Sequence, residues 1–224
     1  MIAATALLAA CVCIREDYSR GVLIKWVACR VVDREAFHRG QRAWAELHGR
    51  PGFLGQCGGW SRREDGLAHI IACWADEPSY QAFMTGSHDE IAAAQIGTYG
   101  ALEVRLFDHR SDIGEGFLTK NGRDALLRLA YCHVRTHRQA HFIQAQTEVW
   151  NPGMAAAPGM RGGMFAQRAE AEFLVVSLWR STADHEGYLD GRFMELRRLA
   201  NAAEDLDAIT GDLVDLEPTW TVSM

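Results

Sequence analysis

Ile24-Lys25-Trp26-Val27-Ala28-Cys29 and Leu127-Arg128-Leu129-Ala130-Tyr131-Cys132 are two versions of one strand-like run, and their relation decides the fold. Working outward, Pro51-Gly52-Phe53 is matched by Pro158-Gly159-Met160, and Ile70-Ile71-Ala72-Cys73-Trp74 by Val175-Val176-Ser177-Leu178-Trp179. A helical pattern follows each of the last two, with Tyr80, Phe83 and Met84 in one copy and His185, Tyr188 and Leu189 in the other. The offset between copies stays between 103 and 107 residues. A period this long is a duplicated small domain, because solenoids repeat several shorter units.

Each copy reads as β-α-β-β-α-β. In the first, residues 23–32 form a β-rich run and Asp33 is a good helix N-cap. Phe37, Gly40, Trp44 and Leu47 then share one helical face. Gly49-Arg50-Pro51-Gly52 ends that helix. Strands are expected at 53–60 and 67–74, joined by a polar hairpin turn, and Asp76 with Pro78 opens a second helix before a last strand at 101–108. In the second copy the strands fall at 126–134, 171–179 and 212–220. Thr136 with Gln139 reads as a capping box, and Ser181 with Asp184 as the cap of the second helix. The fold class is α+β: two tandem ferredoxin-like units. The expected division is an extension at 1–20, a first domain at 21–108, a linker at 109–124 and a second domain at 125–222. Both faces of the strands carry large apolar groups, so each sheet needs cover on the side away from its helices. Packing the two sheets together as an intramolecular dimeric α/β-barrel, closed or nearly closed with eight strands, supplies it.

Composition narrows the function. The chain has 224 residues, 48% hydrophobic and 23% charged, with a formal net charge of −6. That balance disfavours nucleic acid and anionic membranes, which are bound through clustered Lys and Arg. Six cysteines include no Cys-x-x-Cys pair, and Cys29, Cys73 and Cys132 lie in apolar runs, which suits buried thiols in a reducing cytoplasm. Leu8-Ala9-Ala10-Cys11 superficially matches a lipoprotein signal, yet no Lys or Arg precedes it. The expectation for residues 1–20 is an extension outside the fold, with a peripheral helix or an export signal as alternatives.

Ile24-Lys25-Trp26, Phe37 with Gln41 and Trp44, Gly52-Phe53-Leu54-Gly55-Gln56 with Gly58-Gly59-Trp60, Trp74, Tyr80 with Phe83-Met84, and His88-Asp89 with Ile91 resemble the YdbC-like bacterial family of unknown function. The resemblance covers about residues 22–108, and the Gly-Gln-x-Gly-Gly-Trp segment is its most specific part. It implies the dimeric α/β-barrel superfamily, which includes antibiotic-biosynthesis-type monooxygenases that need no cofactor, haem-degrading enzymes and stress-response barrels. In the repeat, Gln56 falls opposite Gly163, Trp60 opposite Gln167 and His88 opposite Phe193, so the first half is expected to supply most polar groups of a site. The haem-degrading pattern of a helical tryptophan and a later histidine would fall at Phe83 and about Ala93, which puts haem in doubt unless His88 is a displaced ligand.

The candidate substrate-binding residues are Lys25, Trp26, Gln56, Trp60 and Trp74, with His88 as the candidate catalytic base. Aromatic walls with one or two fixed polar groups suit a small hydrophobic or aromatic ligand. The competing reading makes the tryptophans core and lets Gln56 satisfy backbone groups. Gln56 and Trp60 share a strand face with Leu54 and Gly58. A histidine titrating near neutrality can take a proton from an acidic carbon, leaving a carbanion that meets oxygen without a cofactor, while Gln56 or Lys25 steadies an oxyanion. His88-Asp89 also reads as a surface or capping pair, and adjacent helical residues do not face each other, so Asp89 is not expected to orient His88. His133, His137 and His141 are spaced by fours but complete no zinc motif, and no metal or cofactor is expected. Glu204, Asp205 and Asp207 read as a solvated helix end. The functional expectation is a small-molecule barrel, an oxygenase or isomerase without a cofactor. The alternative is a non-catalytic stress-response or structural barrel, with a haem protein as a lesser alternative. The chain is expected to be a monomeric pseudo-dimer or to pair further as a homodimer.

Overall fold

A computed structural model describes residues 21–117 and 126–223. The extension expected at 1–20 lies outside the described residues. In chain order the strands and α-helices are β1 (Leu23–Val31), α1 (Arg34–Gln41), β2 (Phe53–Ser61), β3 (Leu67–Trp74), α2 (Glu77–Thr85), α3 (His88–Ala92), β4 (Tyr99–Ile113), β5 (Leu126–Val134), α4 (Gln139–Ala145), α5 (Asn151–Ala155), β6 (Met160–Ala169), β7 (Glu172–Trp179), α6 (Thr182–Asp190), α7 (Arg192–Ala200), β8 (Leu206–Leu216) and the short β9 (Val222–Ser223). The β-α-β-β-α-β order occurs twice.

Eight strands close into one antiparallel barrel. The order round it is β1-β4-β6-β7-β5-β8-β2-β3, and β3 pairs again with β1; β9 adds to one end of β2. Each half contributes four neighbouring strands. The halves meet at two seams, β4 with β6 and β8 with β2. β4 runs on through His109–Ile113, which the sequence suggested as linker, because this end pairs with β6 after Tyr99–Asp108 has paired with β1. Without that extension the edge of β6 would leave backbone groups unpaired.

The parity of β1 separates two cores. Ile24 and Trp26 point into the barrel, where Phe107, Leu129, Tyr131 and Val176 join them. Leu23, Val27 and Cys29 point to the helix layer of the first half. In the second half Leu126, Ala130 and Cys132 face α4 to α7, alongside Phe142, Phe173 and Trp179. Period-two alternation therefore feeds both layers from one strand. Cys29, Cys57, Cys73 and Cys132 are free and buried, and burial pushes the thiols of Cys29, Cys57 and Cys132 up to about 12.

Local signals settle most helix starts. Asp33, Asp76 and Ser181 each accept a bond from a backbone N–H three residues on. The Thr136 and Gln139 capping box does not form. Residues Thr136–Arg138 make a 3-10 turn and Gln139 Nε2 is buried without a partner among the described residues. Asp205, expected in a solvated helix end, is fully buried and accepts from Arg138 Nε at 2.7 Å and from His141 Nδ1 at 2.7 Å. Those bonds compensate the carboxylate for lost water.

The β8–β2 seam admits no side chain at Gly59, where an added Cβ would run into the Asp215 carbonyl oxygen. Gly59→Ala is expected to cost about 1–3 kcal/mol or more, since strand backbones must part. Gly187→Ala, on α6 with nothing within 4 Å of the new methyl, should instead gain about 0.5–1 kcal/mol. Urea unfolding of the two variants measures both, and equal stabilities would contradict this seam.

Candidate functional site

Three of the six candidate residues gather in the helix layer of the first half. Lys25 is the outward neighbour of Ala72 on β3, which in turn faces Gln56 on β2. Lys25 is buried, and its Nζ lies 5.7 Å from the ring centroids of both Trp44 and Tyr80. This is the geometry of a desolvated cation held over aromatic faces. Trp74 packs its ring against Phe83 at 5.0 Å and Phe53 at 5.3 Å. His88, 7% exposed, sets its ring edge-on to Trp44 at 5.7 Å and Phe83 at 5.6 Å. Trp44 thus touches both Lys25 and His88.

His88 Nδ1 and Asp89 Oδ1 are 2.9 Å apart. The neighbour rule that argued against this pair applies inside a helix, whereas His88 is the first residue of α3. Because a carboxylate only accepts, neutral His88 carries its proton on Nδ1 and keeps a lone pair on Nε2. Burial lowers its pKa below the ordinary 6.5, and Lys25 lowers it further; Asp89 opposes both. The imidazole is therefore neutral at pH 7. Beside this group a recess of about 350 Å³ is lined by Arg50, Trp74, Ser79, Phe83, Ser87 and Glu90, among others.

The other three candidates lie elsewhere. Trp60 packs on Trp220 at 5.1 Å, donates to Glu217 Oε1 at 3.0 Å, and carries the Arg34 guanidinium over its ring at 4.0 Å. It borders a separate recess of about 310 Å³ with His38, Arg39 and Glu217. Gln56 shares that face, but its Nε2 is turned to the Trp220 carbonyl at 3.4 Å. Leu54 does not share it: a register shift between Phe53 and Gly55 turns Leu54 toward the barrel core. Trp26 is alone among the candidates in facing the barrel interior.

Inside the barrel, the sequence reasoning missed His69 and Asp212. Trp26 Nε1 donates to His69 Nδ1 at 3.1 Å, and His69 Nε2 lies 3.0 Å from Asp212 Oδ2. Indole N–H is donor only, so the neutral imidazole carries its proton on Nε2 and donates it to Asp212. Ser61 Oγ donates to the same oxygen at 2.6 Å. Burial alone would raise the Asp212 pKa, but the bonds from His69 and Ser61 outweigh it and leave it lowered. Arg105 lies over Trp26 at 4.7 Å and Tyr131 at 5.0 Å. The missed signal was parity, since His69 stands two places from Ile71 on the inward face of β3. His133 sets its ring edge-on to Tyr131 while His141 binds Asp205, so the histidines spaced by fours do not converge. No group of three potential metal ligands occurs among the described residues.

The closed barrel with two helix layers defines a tandem ferredoxin-like α/β-barrel protein. In the first half, residues 23–107 match the model of a domain of unknown function (DUF4937). That half is also YdbC-like: 74 residues are 38% identical to the uncharacterized protein YdbC of Bacillus subtilis (strain 168), covering 31% of this chain and 62% of that protein. The chain thus spans less than two thirds of that relative's length. Among solved structures, a candidate monooxygenase from Lactobacillus acidophilus NCFM aligns at TM-score 0.73 and 13% identity, over 91% of this chain and 96% of the other. A second candidate monooxygenase, from Fusobacterium nucleatum subsp. nucleatum, aligns at 0.75 and 8% identity, over 89% and 94%. Identities this low speak for the fold alone. Among the described residues no helix is long and apolar enough to cross a membrane.

The depressed His88 pKa has a measurable consequence. Between 6.5 and the lower folded value the unfolded chain binds more protons, so His88 makes stability fall as pH drops below 6.5 and contributes nothing to the slope above it. His88→Phe keeps the ring packing and should remove the part of the acid loss that begins near 6.5. Urea midpoints from pH 8 to 5 test this, and a variant profile parallel to wild type would refute the assignment.

Proposed function

We propose that the chain is a small-molecule α/β-barrel protein acting on a small hydrophobic or aromatic compound, as an oxygenase or isomerase that needs no cofactor. The reaction centre in this reading is the layer around His88 and Lys25. One observation carries it: a buried imidazole, neutral at pH 7, held at Nδ1 by Asp89 with Nε2 left to accept a proton. The monooxygenase names of the two structural neighbours support the same class.

In the reaction, His88 Nε2 takes a proton from an acidic C–H of the substrate and Lys25 steadies the oxyanion of the resulting enolate. The substrate anion then reduces O₂ and binds it, and the returned proton completes a hydroperoxide. Loss of water from a CH-hydroperoxide leaves a carbonyl. The isomerase variant returns the proton to a different carbon and uses no oxygen. Trp74 and Phe83 form the apolar wall of the adjoining recess.

The filled barrel interior favours a second reading, a non-catalytic or structural barrel whose cavity is taken by its own Trp26, Phe107 and Tyr131. Oxygen uptake with an anthrone as the probe carbon acid separates the two. Wild type should consume oxygen, His88→Ala should lower kcat by about 10²–10⁴, and Lys25→Met by about 10²–10³. Equal rates in wild type and His88→Ala would sink the enzymatic reading. A molecule retained in the native mass spectrum without turnover would support a carrier, and a Soret band would support haem.

A further inference from the structure

The register that puts Lys25 under the helices of the first half puts Arg128 at the same place in the second. Arg128 stands opposite Ser177 of β7 and Leu213 of β8, and shares its strand face with Leu126 and Ala130 of the helix-side core. It is half-buried, and it makes no hydrogen bond or ion pair with any described residue. The titratable groups that act on it are Tyr188 and Cys132, neither a carboxylate, and burial draws it below its ordinary value. A guanidinium keeps its charge under such conditions and presents five donors.

A second group in the layer is orphaned independently. His185, on α6, is 3% exposed, and neither Nδ1 nor Nε2 has a hydrogen-bond partner among the described residues. In the repeat it takes the place of Tyr80, whose ring lies against Lys25. Burial, then the charges of Arg128 and Arg62, push its imidazole down to about 4, so it is neutral at pH 7 and holds one N–H to donate. Trp179 lies 5.4 Å from the His185 ring and 4.9 Å from Tyr188, which is 5.9 Å from Phe193. Trp179 Nε1 is already given to Ser177 Oγ at 3.0 Å, so the indole presents only its apolar surface. Where the first half has the Gln56 side chain, the second has Gly163.

We propose that the helix-facing layer of the second half binds the carboxylate of a small aromatic acid, with Arg128 gripping it through two N–H groups and His185 donating a third bond. The buried His185 has no partner for its N–H, Arg128 brings a half-buried charge with no carboxylate beside it, and the walls near His185 are aromatic. The site stands apart from the layer around His88 and does not depend on the reaction proposed there.

Isothermal titration of the full chain at pH 7 with benzoate, and with benzamide as its neutral analogue, tests this. Benzoate should bind saturably and more tightly than benzamide. Arg128→Met, which keeps the packing, should weaken benzoate at least ~10-fold, as the loss of a charge-assisted bond implies. His185→Phe should weaken it by a comparable ~10-fold, and Arg30→Met, at an exposed position of β1, should leave it unchanged. If Arg128→Met does not fold, as judged by circular dichroism, His185→Phe decides in its place. Absent saturation with wild type, equal binding of benzamide, wild-type affinity in the deciding variant, or loss in Arg30→Met would each overturn the proposal.

Discussion

Closure of the barrel at two seams is the constraint on which the rest of the structure depends. A four-stranded sheet has two edges and one uncovered face, and both are liabilities in water. Joining β4 to β6 and β8 to β2 removes the four edges together and turns the two uncovered faces into a single interior. The cost falls on particular residues. β4 must be long enough to serve two partners, and Gly59 must bring its backbone against Asp215 with no side chain between.

The seams also explain where polarity is admitted. Besides Arg105, polar groups enter the interior where Trp26, His69, Asp212 and Ser61 are linked: β1 joins β3, β3 joins β8, and β2 joins β8 at the same carboxylate oxygen. Each member is satisfied by the next apart from Asp212 Oδ1, so the network ties first-half strands to a second-half strand at little desolvation cost. Arg62 reinforces the same seam from outside through Asp215 at 2.6 Å and Thr182 at 2.8 Å. The helix layers stand outside the barrel, and each receives a cation from the first strand of its half, the buried Lys25 or the half-buried Arg128. That shared position is inherited from the duplication. The surroundings have diverged, with Trp44, Tyr80 and His88 around one and His185, Tyr188 and Phe193 near the other.

Much of this was legible in the chain. The repeat, the strand alternation and the caps at Asp33, Asp76 and Ser181 are local or periodic signals, and they carried element order and the barrel. Lys25, Trp74 and His88 were legible only as members of the list of six, because nothing local separates them from Trp26, Gln56 and Trp60. The misplacements have specific causes. Leu54 left its expected face because of a one-residue register shift, which inverts every argument from parity. Thr136 lost its capping role to a 3-10 turn, and Asp205 went from surface to interior because Arg138 and His141 reach it from 67 and 64 residues away.

The sequence by itself determined the duplication, the α+β order and which residues are paired by the repeat, because hydrophobic period and turn chemistry act over a few residues. Only the tertiary structure decided which candidates meet. Trp26 went to the barrel interior with His69, and Trp60 and Gln56 went to Trp220. Lys25 and His88 both came to the Trp44 ring. The same holds for the second half, where comparing Gln56 with Gly163 and His88 with Phe193 suggested few polar groups, yet Arg128 and His185 sit there without partners. Such groupings depend on contacts as far apart in sequence as 43 and 182 positions, set by strand register and closure, and no local pattern in a single chain encodes them.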